Sequence, residues 1–151
     1  LMDKGVRLDG SDGTKFLYHD PCHSPIKTHN PVQVVSTLVG KDVELSDRCC
    51  GEAGTLGTSR PDIANQLRFR KQQELAGGLV SIIGRSRVDN GEARILTTCP
   101  ACQQGLARYA DDTGLKTDFV VVEMARRILG EGWQQGFIEK IRNDGIEKVL
   151  L

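Results

Sequence analysis

Residues 15–22 read KFLYHDPC, and this stretch sets the pattern from which the fold is predicted. The first five residues, KFLYH, predict a short strand. The dipeptide Asp20-Pro21 favours a turn directly after that strand. A cysteine, Cys22, therefore stands just beyond the carboxyl end of a predicted strand.

The same unit of strand and cysteine recurs twice along the chain. Residues 43–45 predict a second strand before a Cys-Cys pair, and residues 95–98 predict a third before a Cys-Pro-Ala-Cys motif. Strands that alternate with helices predict an α/β fold, with a mainly parallel sheet flanked by helices. Because parallel strands share one carboxyl edge, the cysteines are expected to meet there. They are Cys22, Cys49, Cys50, Cys99 and Cys102.

Two helices are predicted between these strands. Pro31 opens the first, which closes at Gly40. The second covers residues 61–76, with Ser59 as its N-cap. Residues 77–93 fit no single element and are expected to include a surface loop. The apolar spacing of the second helix predicts a buried face of Ile63, Ala64 and Leu67 and an exposed face of Arg68, Arg70 and Lys71.

The C-terminal third predicts further helices. Residues 119–122 are interpreted either as a buried strand or as the start of a helix that carries Met124 and Ile128. A closing strand is predicted for residues 146–151. A buried helix face is predicted from apolar residues at helical spacing, namely Trp133, Phe137, Ile138 and Ile141.

Length and composition narrow the class of protein. The chain has 151 residues, enough for one domain with a buried core, and its 20 basic and 20 acidic side chains balance. Zero net charge argues against nucleic acid as a partner. No apolar run reaches the roughly 18 residues of a membrane span, and no signal peptide opens the chain, so a cytoplasmic location is expected, with peripheral contact with the inner membrane as an alternative.

The domain organisation is predicted from the same features. Residues 1–14 are polar and rich in glycine, and predict a linker or an added lead-in. Residues 15–151 predict one cysteine-rich domain. Because Met2 follows Leu1, the chain is expected to be a fragment of a longer protein.

The cysteine spacing indicates metal chemistry. Five thiols cannot form a fully paired disulfide framework. A Cys-x-x-Cys motif lets two sulfurs bind one metal centre, whereas the adjacent pair Cys49-Cys50 suits a polynuclear cluster, whose irons lie side by side. Gly51 and the glycines after it let backbone amides approach such a cluster. An iron–sulfur cluster is therefore favoured over zinc, which would leave one sulfur spare, and over free or redox-sensing thiols.

Polar side chains beside the cysteines allow two interpretations. His19 and His23 flank Cys22 and are interpreted as local hydrogen-bonding residues, with direct ligation as the alternative. Glu52 is interpreted as a cap, with a proton relay as the alternative. His29 has no cysteine neighbour and is expected to lie in a loop.

The cysteine segments resemble a known family. The segments YHDPC at 18–22, RCCGEAG at 48–54 and TCPAC at 98–102 are similar to the cysteine-rich CCG domain. That domain occurs in heterodisulfide reductase, in the iron–sulfur subunits of glycolate oxidase and anaerobic glycerol-3-phosphate dehydrogenase, and in lactate-utilisation proteins. The segment FVVVEMA at 119–125, with Trp133, resembles the C-terminal part of bacterial FAD-linked dehydrogenases of the D-lactate or 2-hydroxyglutarate type.

The resemblance implies a cofactor and partners. All five cysteines would hold one [4Fe–4S] cluster, of the cubane or the non-cubane type, with Gly51 against it, and zinc is the alternative metal. The domain would pass electrons from flavin to an acceptor such as quinone within a flavin-dependent 2-hydroxyacid oxidoreductase. FAD would lie in a flavin domain of the same longer protein, beside a second iron–sulfur or CCG domain.

Two other functions remain as alternatives, and two properties of the isolated chain are expected. A structural zinc-binding docking module and a thiol–disulfide reductase-type site are the alternatives to electron transfer. The fragment alone is expected to be inactive as a dehydrogenase. Without its partner domain, the loop 51–57 and the pair Cys49-Cys50 are expected to be exposed.

Overall fold

Four parallel strands form the sheet in the computed structural model, which describes Gly5, Leu8, Gly10 and residues 12–145. The strand order is β2-β1-β3-β4, and each neighbouring pair is parallel. This confirms the predicted α/β class with a parallel sheet. The strands are β1 (Lys15–His19), β2 (Val43–Leu45), β3 (Ala93–Thr97) and β4 (Lys116–Phe119).

Helices cover both faces of this sheet, and within the described residues there are seven. None of them has the length and apolar character needed to cross a bilayer. The helices are α1 (Pro31–Val39), α2 (Leu56–Ser59), α3 (Pro61–Ile83), α4 (Pro100–Ala107), α5 (Ala110–Thr113), α6 (Val120–Leu129) and α7 (Trp133–Asp144).

The alternation of side chains along β1 produces two apolar cores. Leu17 points to one face, where it joins Leu75 and Leu79 of α3 and Leu106 of α4. Phe16 and Tyr18 point to the other face, where residues of α1 and α6 meet them. Because both faces of β1 are buried, its sequence is a continuous apolar run instead of an alternating one.

The predicted first half of the chain is largely confirmed. β1 and β2 have the predicted bounds, and α1 begins at Pro31 and ends before Gly40. The Asn30 side chain accepts a hydrogen bond from the Gln33 amide at 3.1 Å, and Gly40 has a φ of 70°. These local caps define α1 from its own sequence.

α3 begins at Pro61 as predicted, but its predicted N-cap and its predicted C-terminal end are wrong. The helix has 23 residues and runs to Ile83, so 77–83 is helical and contains no surface loop. Gly78 is required inside it, because a Cβ there would lie 3.2 Å from Leu17 Cδ2. Ser59 belongs to α2 and Arg60 takes the N-cap position of α3.

The predicted faces of α3 also need correction. Its buried residues are Ala64, Lys71, Leu75 and Leu79, which share one helical face. Ile63, predicted to be buried, is exposed, and Leu67 is half-buried. Lys71, predicted to be exposed, has 0% of its surface accessible, because polar groups of neighbouring elements surround its ammonium group.

At the C-terminal end, the two interpretations of residues 119–122 are resolved. Phe119 ends β4 and Val120 begins α6, in which Met124 is buried and Ile128 is exposed. The predicted buried face of α7 is wrong, because Phe137 and Ile138 are each 41% exposed. Other helices already cover both sheet faces, so α7 packs mainly along α6. The strand predicted for residues 146–151 lies outside the described residues.

Candidate metal centre

The carboxyl ends of three neighbouring strands bring the cysteines together. Cys22 follows β1, the pair Cys49-Cys50 follows β2, and the Cys-x-x-Cys motif follows β3. All five cysteines line one cavity of about 210 Å³. In the strand order, β2 lies on one side of β1 and β3 lies on its other side, so the connections leave β1 in opposite directions across the sheet. Open α/β sheets bind ligands outside such a switch point.

The cavity runs from an open mouth to a buried floor. Cys22 is exposed, Cys49 and Cys99 are half-buried, and Cys50 and Cys102 are each 5% exposed. The expectation that Cys50 would be exposed is therefore wrong, although the loop from Ala53 to Thr55 is exposed as predicted. Cys50 is buried because it and Cys102 belong to the same apolar core as Leu17.

The distance between the two buried sulfurs is compatible with metal binding. The Sγ atoms of Cys50 and Cys102 lie 3.4 Å apart. Two thiolates on one tetrahedral ion, with bonds of about 2.3 Å, are roughly 3.8 Å apart. The adjacent residues Cys49 and Cys50 lie at different depths of the cavity, so their sulfurs can reach different metal atoms of a polynuclear cluster.

Two glycines make this geometry possible. Gly51 has a φ of 76°, which turns the backbone sharply after the Cys-Cys pair, and its amide donates to Cys49 Sγ at 3.3 Å. Gly105 lies on α4 against that loop, where a Cβ would come within 3.0 Å of Glu52 Cβ and 3.4 Å of Cys50 Cβ. The close approach of α4 brings Cys102 beside Cys50.

The surroundings of the thiols shift their pKa values in different directions. The backbone N–H groups of Cys102 and Ala101, at the start of α4, favour the thiolate of Cys99 and lower the pKa of its thiol. Burial and the neighbouring Cys50 raise the pKa of Cys102, and desolvation followed by the charge of Cys49 raises the pKa of Cys22. Closely spaced sulfurs resist deprotonation together, so a bound cation is what would stabilise all of them as thiolates.

Behind the buried sulfurs lies a group of four polar side chains, His19, Ser46, Lys71 and Glu74, here called the polar floor. Lys71 Nζ donates to Ser46 Oγ and to Glu74 Oε2, both at 2.7 Å. His19 Nδ1 lies 3.0 Å from the Ser46 carbonyl oxygen. A ring nitrogen of His19 and the sulfurs of Cys50 and Cys102 lie within 4.8 Å of one another.

Burial sets the pKa values of the polar floor. It lowers the pKa of His19, and the positive charge of Lys71 adds to this effect. It also lowers the pKa of Lys71, against the opposing influence of Glu74. Burial alone would raise the pKa of Glu74, but hydrogen bonds from Lys71 and from the Arg48 amide bring it below its usual value.

The remaining candidates lie at the rim or outside. His23 lines the mouth of the cavity. Glu52 lines it too, and it forms an ion pair with Arg108 instead of capping a helix or loop. His29 is exposed and does not line the cavity.

Four residues that shape the site were not predicted as site residues from the sequence, namely Ser46, Lys71, Glu74 and Gly105. Gly105 stands three residues after Cys102, one helical turn along the same face, and that spacing is a signal in the sequence. Glu74 stands three residues after Lys71, which marks a pair on one helix face. Ser46 directly follows β2, where the sequence gives no sign of its role.

Two family models match the chain. One, described as a cysteine-rich domain (CCG), covers residues 16–107, and the other, described as a domain of unknown function (DUF3400), covers residues 107–151. No solved structure matches the chain significantly.

Three curated proteins are similar to this chain. An uncharacterised iron–sulfur protein of Methanococcus maripaludis is 26% identical over 117 residues, covering 71% of this chain and 21% of that protein. A fumarate reductase (CoM/CoB) subunit of Methanothermobacter marburgensis is 28% identical over 108 residues, covering 67% and 19%. The glycolate oxidase iron–sulfur subunit of Escherichia coli is 37% identical over 75 residues, covering 46% and 18%. The chain thus spans about a fifth of the length of these relatives.

Proposed function

This chain belongs to the family of cysteine-rich CCG domains, and from that premise we propose that it is an iron–sulfur electron-transfer domain. The observation that carries the proposal is the single cavity lined by all five cysteines. Two of the similar proteins are named as iron–sulfur proteins or subunits, and the third as a subunit of a reductase. These names support a redox role for the domain.

The cysteines would hold a [4Fe–4S] cluster at three depths. Cys50 and Cys102 would bind it at the buried end, Cys49 and Cys99 at the sides, and Cys22 at the mouth. Such a cluster accepts and releases single electrons. The difference in depth between adjacent Cys49 and Cys50 favours a polynuclear cluster over one zinc ion.

The chain's own backbone would tune this site. The Gly51 amide donates to Cys49 Sγ, and the backbone N–H groups of Ala101 and Cys102 favour the thiolate of Cys99. Hydrogen bonds to thiolate sulfur stabilise the added negative charge of a reduced cluster and so raise its potential. Burial of Cys50 and Cys102 keeps water from the inner end of the cavity.

The wider assignment follows from the resemblance and the relatives. We infer a place in a flavin-dependent 2-hydroxyacid oxidoreductase, which the glycolate oxidase relative supports. Electrons would come from FAD in a flavin domain of a longer protein and pass, beside a second iron–sulfur or CCG domain, to an acceptor such as quinone. The cavity opens to solvent at Cys22, which is where a redox partner could approach.

We also infer that residues 15–151 form one domain. The two family matches meet at residue 107. Beyond that point, β4 pairs with β3 along four residues, and Val120 and Met124 of α6 complete the core on one sheet face. The shared sheet and shared core support one folding unit.

The test is anaerobic reconstitution with iron and sulfide, followed by metal analysis and visible absorbance. We expect a brown protein whose cluster is lost in Cys49→Ser and Cys50→Ser, because adjacent thiolates are what polynuclear binding needs here. His29→Gln is the matched control, since His29 is exposed and outside the cavity. Unchanged iron in both cysteine variants would overturn the ligand assignment. A colourless protein with one zinc per chain would favour the structural zinc module.

A further inference from the structure

We propose that His19 is a nitrogen ligand of the metal centre, bound through Nε2 beside Cys50 and Cys102. This assignment rests on the proposed iron–sulfur function and adds a sixth donor to the five cysteines. It makes His19, at the end of β1, part of the buried end of the site.

The position of the ring is the first argument. His19 is almost fully buried, and one of its ring nitrogens lies within 4.8 Å of both Cys50 Sγ and Cys102 Sγ. Bonds of about 2.3 Å to sulfur and about 2.0 Å to nitrogen place the ligand atoms of one tetrahedral ion roughly 3.5–4 Å apart. The ring nitrogen and both sulfurs are therefore close enough to one another to serve as ligands of the same metal centre.

The protonation of the ring is the second argument. His19 Nδ1 lies 3.0 Å from the Ser46 carbonyl oxygen, and two lone pairs at that distance would repel each other, so Nδ1 carries the proton and donates it. Lys71 Nζ is 3.3 Å from Nδ1, but it has closer acceptors in both oxygens of Ser46 and in Glu74. Nε2 of the neutral ring therefore keeps a free lone pair.

The surroundings of Nε2 are the third argument. This atom is buried and has no hydrogen-bond partner among the residues that the structure describes. Buried polar atoms are nearly always paired, so an unpaired one points to a missing partner. A histidine that binds a metal usually donates its other ring N–H to a carbonyl or carboxylate, as His19 does toward Ser46.

The polar floor fixes this arrangement. Lys71 binds Ser46 through its hydroxyl and its carbonyl, and Glu74 accepts from both Lys71 and the Arg48 amide. The Ser46 carbonyl that orients His19 is thus held by α3.

A variant-free measurement tests the assignment directly. The reconstituted, reduced wild-type chain is prepared with natural histidine and with ¹⁵N-histidine, and pulsed EPR measures nitrogen coupling to the cluster. We expect a strong coupling that changes with the isotope, because a directly bound ring nitrogen carries spin density. A cluster without isotope-sensitive coupling would overturn the assignment and leave the proposed function standing. Absence of iron in the wild-type chain would overturn both.

Variants then identify which histidine is responsible. The coupling should persist in His23→Gln and His29→Gln and disappear in His19→Cys. The cysteine offers a thiolate in place of the ring, so this variant should retain iron and show a lower potential, since thiolate ligands lower the potential relative to histidine. Circular dichroism checks its fold. Persistence of the histidine coupling in His19→Cys would refute the assignment of the bound nitrogen to His19.

Discussion

Replacing Lys71 by methionine tests whether the polar floor supports the fold as well as the site. The Lys71 side chain is fully buried, and methionine fills a similar volume without the ammonium group. The change leaves Glu74 Oε2 and Ser46 Oγ without their 2.7 Å partner. Because little cavity is created, the measured loss reports mainly on the broken charge contacts.

The size of the loss follows from these contacts. Removing one partner of a buried ion pair costs about 3–5 kcal/mol. Glu74 is only partly buried, with 18% of its side chain exposed, and it keeps hydrogen bonds from Ser46 Oγ and from the Arg48 amide. These hydrogen bonds still stabilise its charge, and we expect a loss of about 2–3 kcal/mol in the free energy of unfolding.

Urea unfolding of the metal-free chain, followed by circular dichroism, measures this loss. Arg70→Met is the matched control, because Arg70 neighbours Lys71 on α3 but is exposed, and it should change stability by less than about 0.5 kcal/mol. The double variant Lys71→Met/Glu74→Met removes both charges and should recover part of the loss. A Lys71→Met loss no larger than that of Arg70→Met would refute the reasoning, as would a double variant no more stable than Lys71→Met.

Three further predictions concern packing, pH and metal removal. Gly105→Ala should lower the free energy of unfolding by about 1–2 kcal/mol, because the added methyl group overpacks against Glu52 and Cys50. Gly136→Ala, in open space on α7, should raise it by about 0.5–1 kcal/mol. Urea unfolding measures both changes. The pKa of Glu74 is lower in the folded chain than in the unfolded chain. Ionised Glu74 therefore stabilises the fold above about pH 4.5, and this stabilisation is lost as the pH falls through the lowered pKa. Glu74→Gln should flatten the dependence of the unfolding free energy on pH in that acid range. The metal-loaded chain should stay folded after the metal is removed with a chelator, because both apolar cores are built on the sheet. Circular dichroism measures this. Cooperative unfolding on chelation would show that the metal is structural.

The sheet could be predicted because its signals are local. The run KFLYH, followed by the turn dipeptide Asp20-Pro21, identifies a strand and its end without knowledge of its neighbours. Asn30, Pro31 and Gly40 define α1 within their own segment. The cysteines converge because parallel strands share one carboxyl edge, a rule of topology that needs no side-chain detail.

The errors have a common cause in tertiary packing. Gly77 and Gly78 suggest the end of a helix, yet α3 continues through them, and the side chain of Leu17 occupies the space that a Cβ at Gly78 would need. Periodicity along α7 correctly detects apolar residues on a helix. It does not show whether another element covers them, and Phe137 and Ile138 remain exposed.

The polar floor shows why half of a site is harder to predict than the other half. Cysteine is a common metal ligand, so the spacing of cysteines in the sequence is enough to indicate a metal centre. Lys71 has no such identity: a lysine on a polar helix is expected at the surface, since burying an unpaired ammonium group is strongly unfavourable. It is buried here because Ser46 brings two oxygens from the end of β2 and Glu74 brings a carboxylate from the next turn of α3. Those acceptors come from different segments, so the role of Lys71, and with it the orientation of His19, exists only in the folded chain.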